Sequence, residues 1–297
     1  MMKDWIKAFR LRTLPLAFSS IITGTALAFD EFDSIIFFLA LATTLFLQVL
    51  SNLANDYGDA EKGTDNENRV GPERAIQSGA ISKSQMKNAI IIFVILSFSF
   101  GVSLVAYAMR NAHLGYTLFL LITGILSIVA AIKYTAGKTA YGYKGLGDLF
   151  VFIFFGLVGV LGSEFLYTAS FELASFLPAM TIGLFSAAVL NLNNMRDWEN
   201  DKASGKNTLV VKIGLSKAKN YHFTILIIGI GSSIAYFLQQ EFRLIDLAFA
   251  LGIIPILIHL KNVAKINNNP TEFDPELKKV ALSTFLFSLL FLLSALV

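Results

Sequence analysis

The sequence predicts an all-α, polytopic membrane protein: a nine-transmembrane-helix bundle with its N-terminus in the cytoplasm and its C-terminus outside. Three observations predict it. Of 297 residues, 55% are hydrophobic and only 15% charged, with mean hydropathy +0.64. A soluble domain carries about 25% charge, so this chain could not cover a water-facing surface. The apolar residues gather in runs near the roughly 20 residues that cross a bilayer. The basic residues alternate between loops as the positive-inside rule requires. Disordered and coiled-coil chains need more polar residues, which excludes both. Disulfides are excluded because there is no Cys. A pI near 8.9 is too mild to imply nucleic acid as a partner.

The first run, 14–29, follows Lys3, Lys7, Arg10 and Arg12. These flanks and the Ala26-Leu27-Ala28 end have the form of a signal peptide, but a nine-helix bundle needs this helix. It is therefore read as a retained span. The second run, 34–53, leads into a long loop, 54–88. Runs 89–109, 114–132, 149–169 and 173–192 follow, and then a second long loop, 193–220. Runs 221–238, 244–260 and 280–297 complete the set. Neither loop could hold a soluble domain, so residues 1–297 are read as one domain. Of the 24 Lys and Arg residues, only Arg110 and Arg243 fall in outside loops, leaving 22 inside. A wrong number of spans would scramble that alternation. Glu164 lies near the outer end of the fifth run, where snorkelling to the interface is expected. His113, His222 and His259 are scattered and give no metal spacing.

Nine of the 21 acidic residues fall in the two long loops, both on the cytoplasmic side of this topology. Asp56, Asp59, Glu61, Asp65, Glu67 and Glu73 follow the second run; Asp197, Glu199 and Asp201 follow the sixth. Helical continuation would put Asn55 and Asp59, and likewise Asp197 and Asp201, on one face at i,i+4. Clustered carboxylates repel unless a cation neutralises them. Hard oxygen ligands suit Mg²⁺, which commonly shares its shell with phosphates. Interleaved Lys62, Arg74, Arg196 and Lys206 suit a phosphate-bearing ligand. The bland alternative is a pair of solvated helix caps, since Asn and Asp favour such places. Two clusters at equivalent helix ends, each preceded by Asn, argue against it.

On these residues the chain resembles the UbiA-type intramembrane prenyltransferases. That family has nine helices and two aspartate-rich cytoplasmic motifs. Asn55, Asp56 and Asp59 match the first motif; Asp197 and Asp201 match the second. The last aspartate of the first motif falls at Gly63 here, with Asp65 two residues later. That form is similar to the family's naphthoate branch. Further agreement comes from Arg12-Thr13-Leu14-Pro15, Gln48 with Asn52, Gly71-Pro72-Glu73-Arg74, and Tyr134 with Gly145-Leu146-Gly147-Asp148-Leu149. Asp148 is usually Glu in that branch.

The resemblance implies transfer of a polyprenyl group from polyprenyl diphosphate to 1,4-dihydroxy-2-naphthoate, with loss of CO₂, toward demethylmenaquinone in menaquinone biosynthesis. It implies Mg²⁺ as cofactor, held by Asn55, Asp56, Asp59, Asp65, Asp197 and Asp201. Asp59, Asp197 and Asp201 would act in catalysis, with Tyr134 facing the ring or the allylic cation. Arg12, Lys62, Arg74, Arg196 and Lys206 are the expected substrate-binding residues. The expected location is the bacterial cytoplasmic (inner) membrane, with the site on the cytoplasmic face. The alternatives are another aromatic acceptor, such as 4-hydroxybenzoate or homogentisate, or a secondary transporter. A transporter concentrates polar residues near the bilayer midplane; here they gather at one interface.

Overall fold

The structure, a computed structural model, describes residues 2–67, 69–241, 243–267 and 269–297. Every regular element among them is helical. An amphipathic α1 (Met2–Phe9) and a 3-10 turn (Leu11–Thr13) lead to α2 (Leu14–Leu27), which starts with Pro15 where a missing N–H does no harm. The Asp33 side chain caps α3 (Ser34–Lys62), accepting from the backbone N–H of Ile35 at 2.8 Å. A reciprocal Ser82–Gln85 capping box starts α4 (Lys83–Ala108). Then come α5 (Leu114–Lys133), α6 (Gly147–Val151), a π-helical stretch (Phe152–Leu161) and α7 (Gly162–Thr168). The second half comprises α8 (Phe176–Arg196), short α9 (Trp198–Ala203) and α10 (Leu209–Ile213), α11 (Leu215–Phe237), α12 (Phe249–Lys265) and α13 (Phe273–Leu296).

Seven helical segments among the described residues are long and apolar enough to cross a membrane. The protein is an integral membrane protein. The first and seventh predicted runs are helical too. However, α2 has only 14 residues, and α11 opens with Lys217, Lys219 and Asn220. Exposed Ile91, Ile95 and Phe98 on α4, and Ile122, Leu126 and Val129 on α5, give an apolar outer surface suited to lipid.

In the bundle α3 packs on α4, α8 on α11 and the π-helical stretch, and α13 on α2, α8 and α12. Two close approaches to the π-helical stretch, from α2 and from α8, depend on missing side chains. A Cβ on Gly24 would sit 2.3 Å from the Val160 carbonyl, and one on Gly156 would sit 2.8 Å from the Gly183 Cα. Gly24→Ala is expected to cost about 1–3 kcal/mol, as overpacked interiors do. A lowered melting temperature in detergent would register it; an unchanged one would refute close packing there.

Two expectations are corrected. Glu164 does not snorkel: it is 2% exposed, and Ser175 Oγ donates to its Oε1 at 2.6 Å. Two of the three histidines are not scattered. His222 and His259 meet through their Nε2 atoms at 2.7 Å, and His259 Nδ1 lies 2.7 Å from Glu276. These positions lie 37 and 17 residues apart, so only the packing of α11, α12 and α13 unites them.

Candidate active site

The first acidic cluster lies on a helix. α3 runs 29 residues, about 43 Å at 1.5 Å per residue, well beyond a hydrocarbon core of about 30 Å. Asn55, Asp56 and Asp59 therefore occupy its last two turns. Gly63, with φ 72°, ends the helix in the left-handed conformation that glycine adopts freely. The chain then turns, and the backbone N–H of Thr64 returns to the Asp59 carbonyl. In the second cluster Asp197 terminates α8 and Asp201 lies in α9. The Asp201 N–H bonds the Asp197 carbonyl at 2.8 Å, so helical spacing survives the junction.

The structure brings these clusters together. Lys206 Nζ, from the second loop, donates to Asp59 Oδ2 at 3.1 Å. Arg69, from the first, bonds Asp65 at 2.7 Å and reaches Asp197 Oδ2 at 3.4 Å. Asn200 Nδ2 donates to the Thr64 carbonyl at 2.9 Å. Arg196 clasps Asp197 through Nε at 2.9 Å and Nη2 at 2.8 Å, and also bonds Asp274. Arg10 bonds Asp56, and Arg74 Nε lies 3.6 Å from the same carboxylate. Five buried carboxylates (Asp56, Asp59, Asp65, Asp197, Asp201) thus share one region with Arg10, Arg69, Arg74, Arg196 and Lys206. Buried charges at this density persist only when paired.

The pairing shapes the titrations. At Asp197 burial works to raise the pKa, but Arg196, Arg69 and Arg74 outweigh it and hold the carboxyl below its usual value. At Asp201 burial prevails, helped by Asp197 and Asp59 against Lys206, and the pKa is pushed up to about 7. Burial also raises Asp65, with Asp59 adding to it. Lys206 is raised despite its burial, because Asp59 and Asp201 favour its charged form. Burial and neighbouring Arg69 bring Arg74 down to about 9, still charged at neutral pH.

Other expected residues fall differently. Arg12 is exposed on the 3-10 turn, whereas Arg10, whose own backbone is left-handed at φ 49°, reaches the cluster. Lys62 bonds the Thr135 carbonyl and lies over the Tyr143 ring, 4.3 Å from its centroid. Tyr134 follows α5 and is raised by burial and then by Asp59, Asp148 and Asp201. It therefore stands within reach of both clusters. Sequence reading missed Arg10, Arg69 and Tyr143. The Tyr143 hydroxyl donates to Asp59 Oδ1 at 2.7 Å and lies 2.6 Å from that of Thr64. Arg10 and Tyr143 have partners 46 and 84 residues away, and although Arg69 pairs locally with Asp65, its reach to Asp197 spans 128 residues, so no single loop marks these roles.

The donor set suits a hard divalent cation. Asn55 Oδ1 and Asp65 Oδ2 are buried without a hydrogen-bond partner, beside three further oxygen-bearing groups, Asp56, Asp59 and Asp197. No three acidic or histidine side chains among the described residues already form a metal cage. The carboxylates instead hold arginines and a lysine. The cationic side has spare capacity as well: the Nε groups of Arg10, Arg69 and Arg74 are buried without an acceptor. Unused guanidinium donors beside unused oxygen donors suit an anionic phosphate that shares a metal.

The chain is similar to several known proteins. A profile of the UbiA prenyltransferase family matches residues 17–273. The 1,4-dihydroxy-2-naphthoate octaprenyltransferase of Escherichia coli K12 is 44% identical over 293 residues, covering 97% of this chain and 94% of that one. Its namesake from Haemophilus influenzae is 41% identical over 300 residues, covering 100% and 96%. Among solved structures, a UbiA homolog from Archaeoglobus fulgidus bound to DMAPP and Mg²⁺ superposes with a TM-score of 0.72 at 17% identity, covering 99% of this chain and 98% of that one. An apo UbiA homolog from Aeropyrum pernix K1 superposes with 0.74 at 14% identity, covering 96% and 98%. With its fold, its paired aspartate motifs and a profile match over most of its length, the chain belongs to the UbiA prenyltransferase family.

Proposed function

We propose that this protein transfers a polyprenyl group from polyprenyl diphosphate to 1,4-dihydroxy-2-naphthoate, releasing diphosphate and CO₂, in menaquinone biosynthesis. The observation that carries the chemistry is the meeting of both aspartate clusters in one buried region with unpaired arginine donors. The acceptor is supported by the whole-chain likeness to naphthoate octaprenyltransferases. The reading includes nine spans, a cytoplasmic N-terminus and an inner-membrane location. The site then faces the cytoplasm, where the basic loops lie.

Asn55, Asp56, Asp59, Asp65, Asp197 and Asp201 would hold Mg²⁺. Bound there, Mg²⁺ acts as a Lewis acid toward the departing diphosphate. The protein's own cations supply fixed electrostatic stabilisation: Arg10, Arg69, Arg74 and Lys206 face the charge that develops on the leaving group. No nucleophilic side chain is needed, because an allylic cation reacts directly with an electron-rich ring. Tyr134 would present an aromatic face that shields such a cation, whereas the Tyr143 ring already carries the Lys62 ammonium.

An acceptor panel with one radiolabelled prenyl donor tests the function. Product is expected with dihydroxynaphthoate; product only with 4-hydroxybenzoate would reject the naphthoate acceptor and leave the fold untouched.

The raised Asp201 makes metal binding pH-dependent. Its carboxyl must shed a proton before it can ligate. With a pKa near 7, its ionised fraction changes about tenfold between pH 6 and pH 8. About tenfold more Mg²⁺ is therefore expected for half-maximal activity at pH 6 than at pH 8. The stability sign follows from the same shift. The folded pKa lies above the ordinary carboxylate value of about 4, so metal-free protein loses stability as pH rises from there to about 7. A Mg²⁺ requirement that does not vary with pH would remove Asp201 from the ligand set.

A further inference from the structure

One buried acid lies outside the diphosphate region. Asp148, the second residue of α6, is 4% exposed, and neither carboxylate oxygen has a partner at full hydrogen-bond distance, only the longer approach of the Tyr221 hydroxyl. Leaving a buried polar group unsatisfied is costly, so such a group in a packed interior calls for an explanation. Its surroundings supply one. A Cβ on neighbouring Gly147 would lie 3.4 Å from the Tyr134 hydroxyl, so that phenol closes over the start of α6. The same phenol feels the charges of Asp59 and Asp201. Tyr134 therefore lies near both the diphosphate region and Asp148. The Tyr221 hydroxyl approaches from α11. The Tyr134 ring itself lies against the start of α6, since a Cβ on Gly147 would sit 3.2 Å from its Cε2, and it meets Tyr141 edge-on at 5.4 Å. A buried carboxylate that only the Tyr221 hydroxyl approaches, beside an aromatic face and near the diphosphate site, suits a flat ring that carries a hydroxyl.

We propose that Asp148 is the acceptor-side carboxylate, which binds the hydroxyl adjacent to the ring carboxylate and borrows its proton during transfer. This rests on the reaction proposed above. The O–H bond breaks as its proton passes to Asp148. The oxygen's electron pair moves into the ring, whose carboxylate-bearing carbon forms the new bond to the allylic carbon while the C–O bond to diphosphate breaks. The carboxylate then leaves as CO₂. Its bonding pair returns through the ring to the oxygen, which takes the proton back from Asp148. Nothing is oxidised or reduced, and no proton is lost overall. The group therefore needs no exit path to water, in keeping with its burial.

Steady-state kinetics on Asp148→Asn and Asp148→Glu in the full-length protein test this. Removing a proton acceptor is expected to lower kcat/KM for dihydroxynaphthoate about 100-fold or more. The donor KM should stay near the wild-type value, and Asp148→Glu should recover most of the loss. An acceptor kcat/KM near that of the wild type in Asp148→Asn would overturn the proposal. So would a donor KM that worsens in parallel, since that marks a structural role. If Asp148→Asn does not fold, inhibition of the wild type decides: the methyl ether of the hydroxyl adjacent to the carboxylate should bind at least about tenfold more weakly than the parent acceptor. Equal binding would overturn the inference. Wild-type protein inactive on dihydroxynaphthoate would sink the proposed function as well, whereas active wild type with an unaffected variant sinks the Asp148 assignment alone.

Discussion

Asp59→Asn and Asp197→Asn are each expected to cut prenyl transfer at least about 100-fold, on the scale of losing one preorganised electrostatic group. Asparagine keeps the shape and removes the charge, so the loss reports on cation binding more than on packing. The two variants should differ in stability. Asp59 accepts from Tyr143 and Lys206, and its removal leaves a buried ammonium with Asp201 as the remaining acid that acts on it. Breaking such a pair typically costs about 3–5 kcal/mol. Asp197→Asn leaves Arg196 its contacts with Asp274 and Asn193, so the fold should suffer less. Label transfer from a radioactive donor gives the activity, and melting in detergent gives the stability. Turnover preserved in both variants would end the metal-diphosphate reading.

Lys206→Met should raise the donor KM about 10- to 100-fold, the worth of one charge-assisted hydrogen bond of about 1.5–3 kcal/mol. Lys206 is 7% exposed and its ammonium lies 5.3 Å from the centroid of the Tyr143 ring, so methionine can keep much of the same packing. What it cannot replace is the charge that ties the second loop to Asp59. The acceptor KM should change little, which separates loss of donor binding from general loosening of the site. Lys206→Arg is expected to rescue only partly, because a planar guanidinium does not fit where a compact ammonium sat. A donor KM unaffected by Lys206→Met would place this lysine outside the diphosphate site.

Much of the architecture is legible in the amino acids, because a bilayer imposes a simple rule on sequence. Apolar runs near the spanning length mark every long helix, though not their ends. α3 overshoots its apolar run by nine residues, and that overshoot carries Asn55, Asp56 and Asp59. Hydropathy measures contact with lipid, and a helix stabilised by tertiary contacts continues past the last apolar residue. The acidic motifs are legible for a related reason. Carboxylates are rare in such a chain, so two tight clusters stand out.

The helical class, the apolar runs and two rows of oxygen-bearing side chains thus follow from the amino acids alone. What closes on those rows follows from packing. The folded bundle places Arg10 rather than Arg12 on Asp56, brings Arg69 across to Asp197, and sets Tyr143 on Asp59. It also buries Asp148 near Tyr134 and Tyr221 and turns Glu164 inward to Ser175. The difference is one of range. Hydropathy and helical spacing are local properties carried by a few consecutive residues. Pairing of a buried charge is settled by whichever group the packed bundle brings within about 4 Å, however distant along the chain.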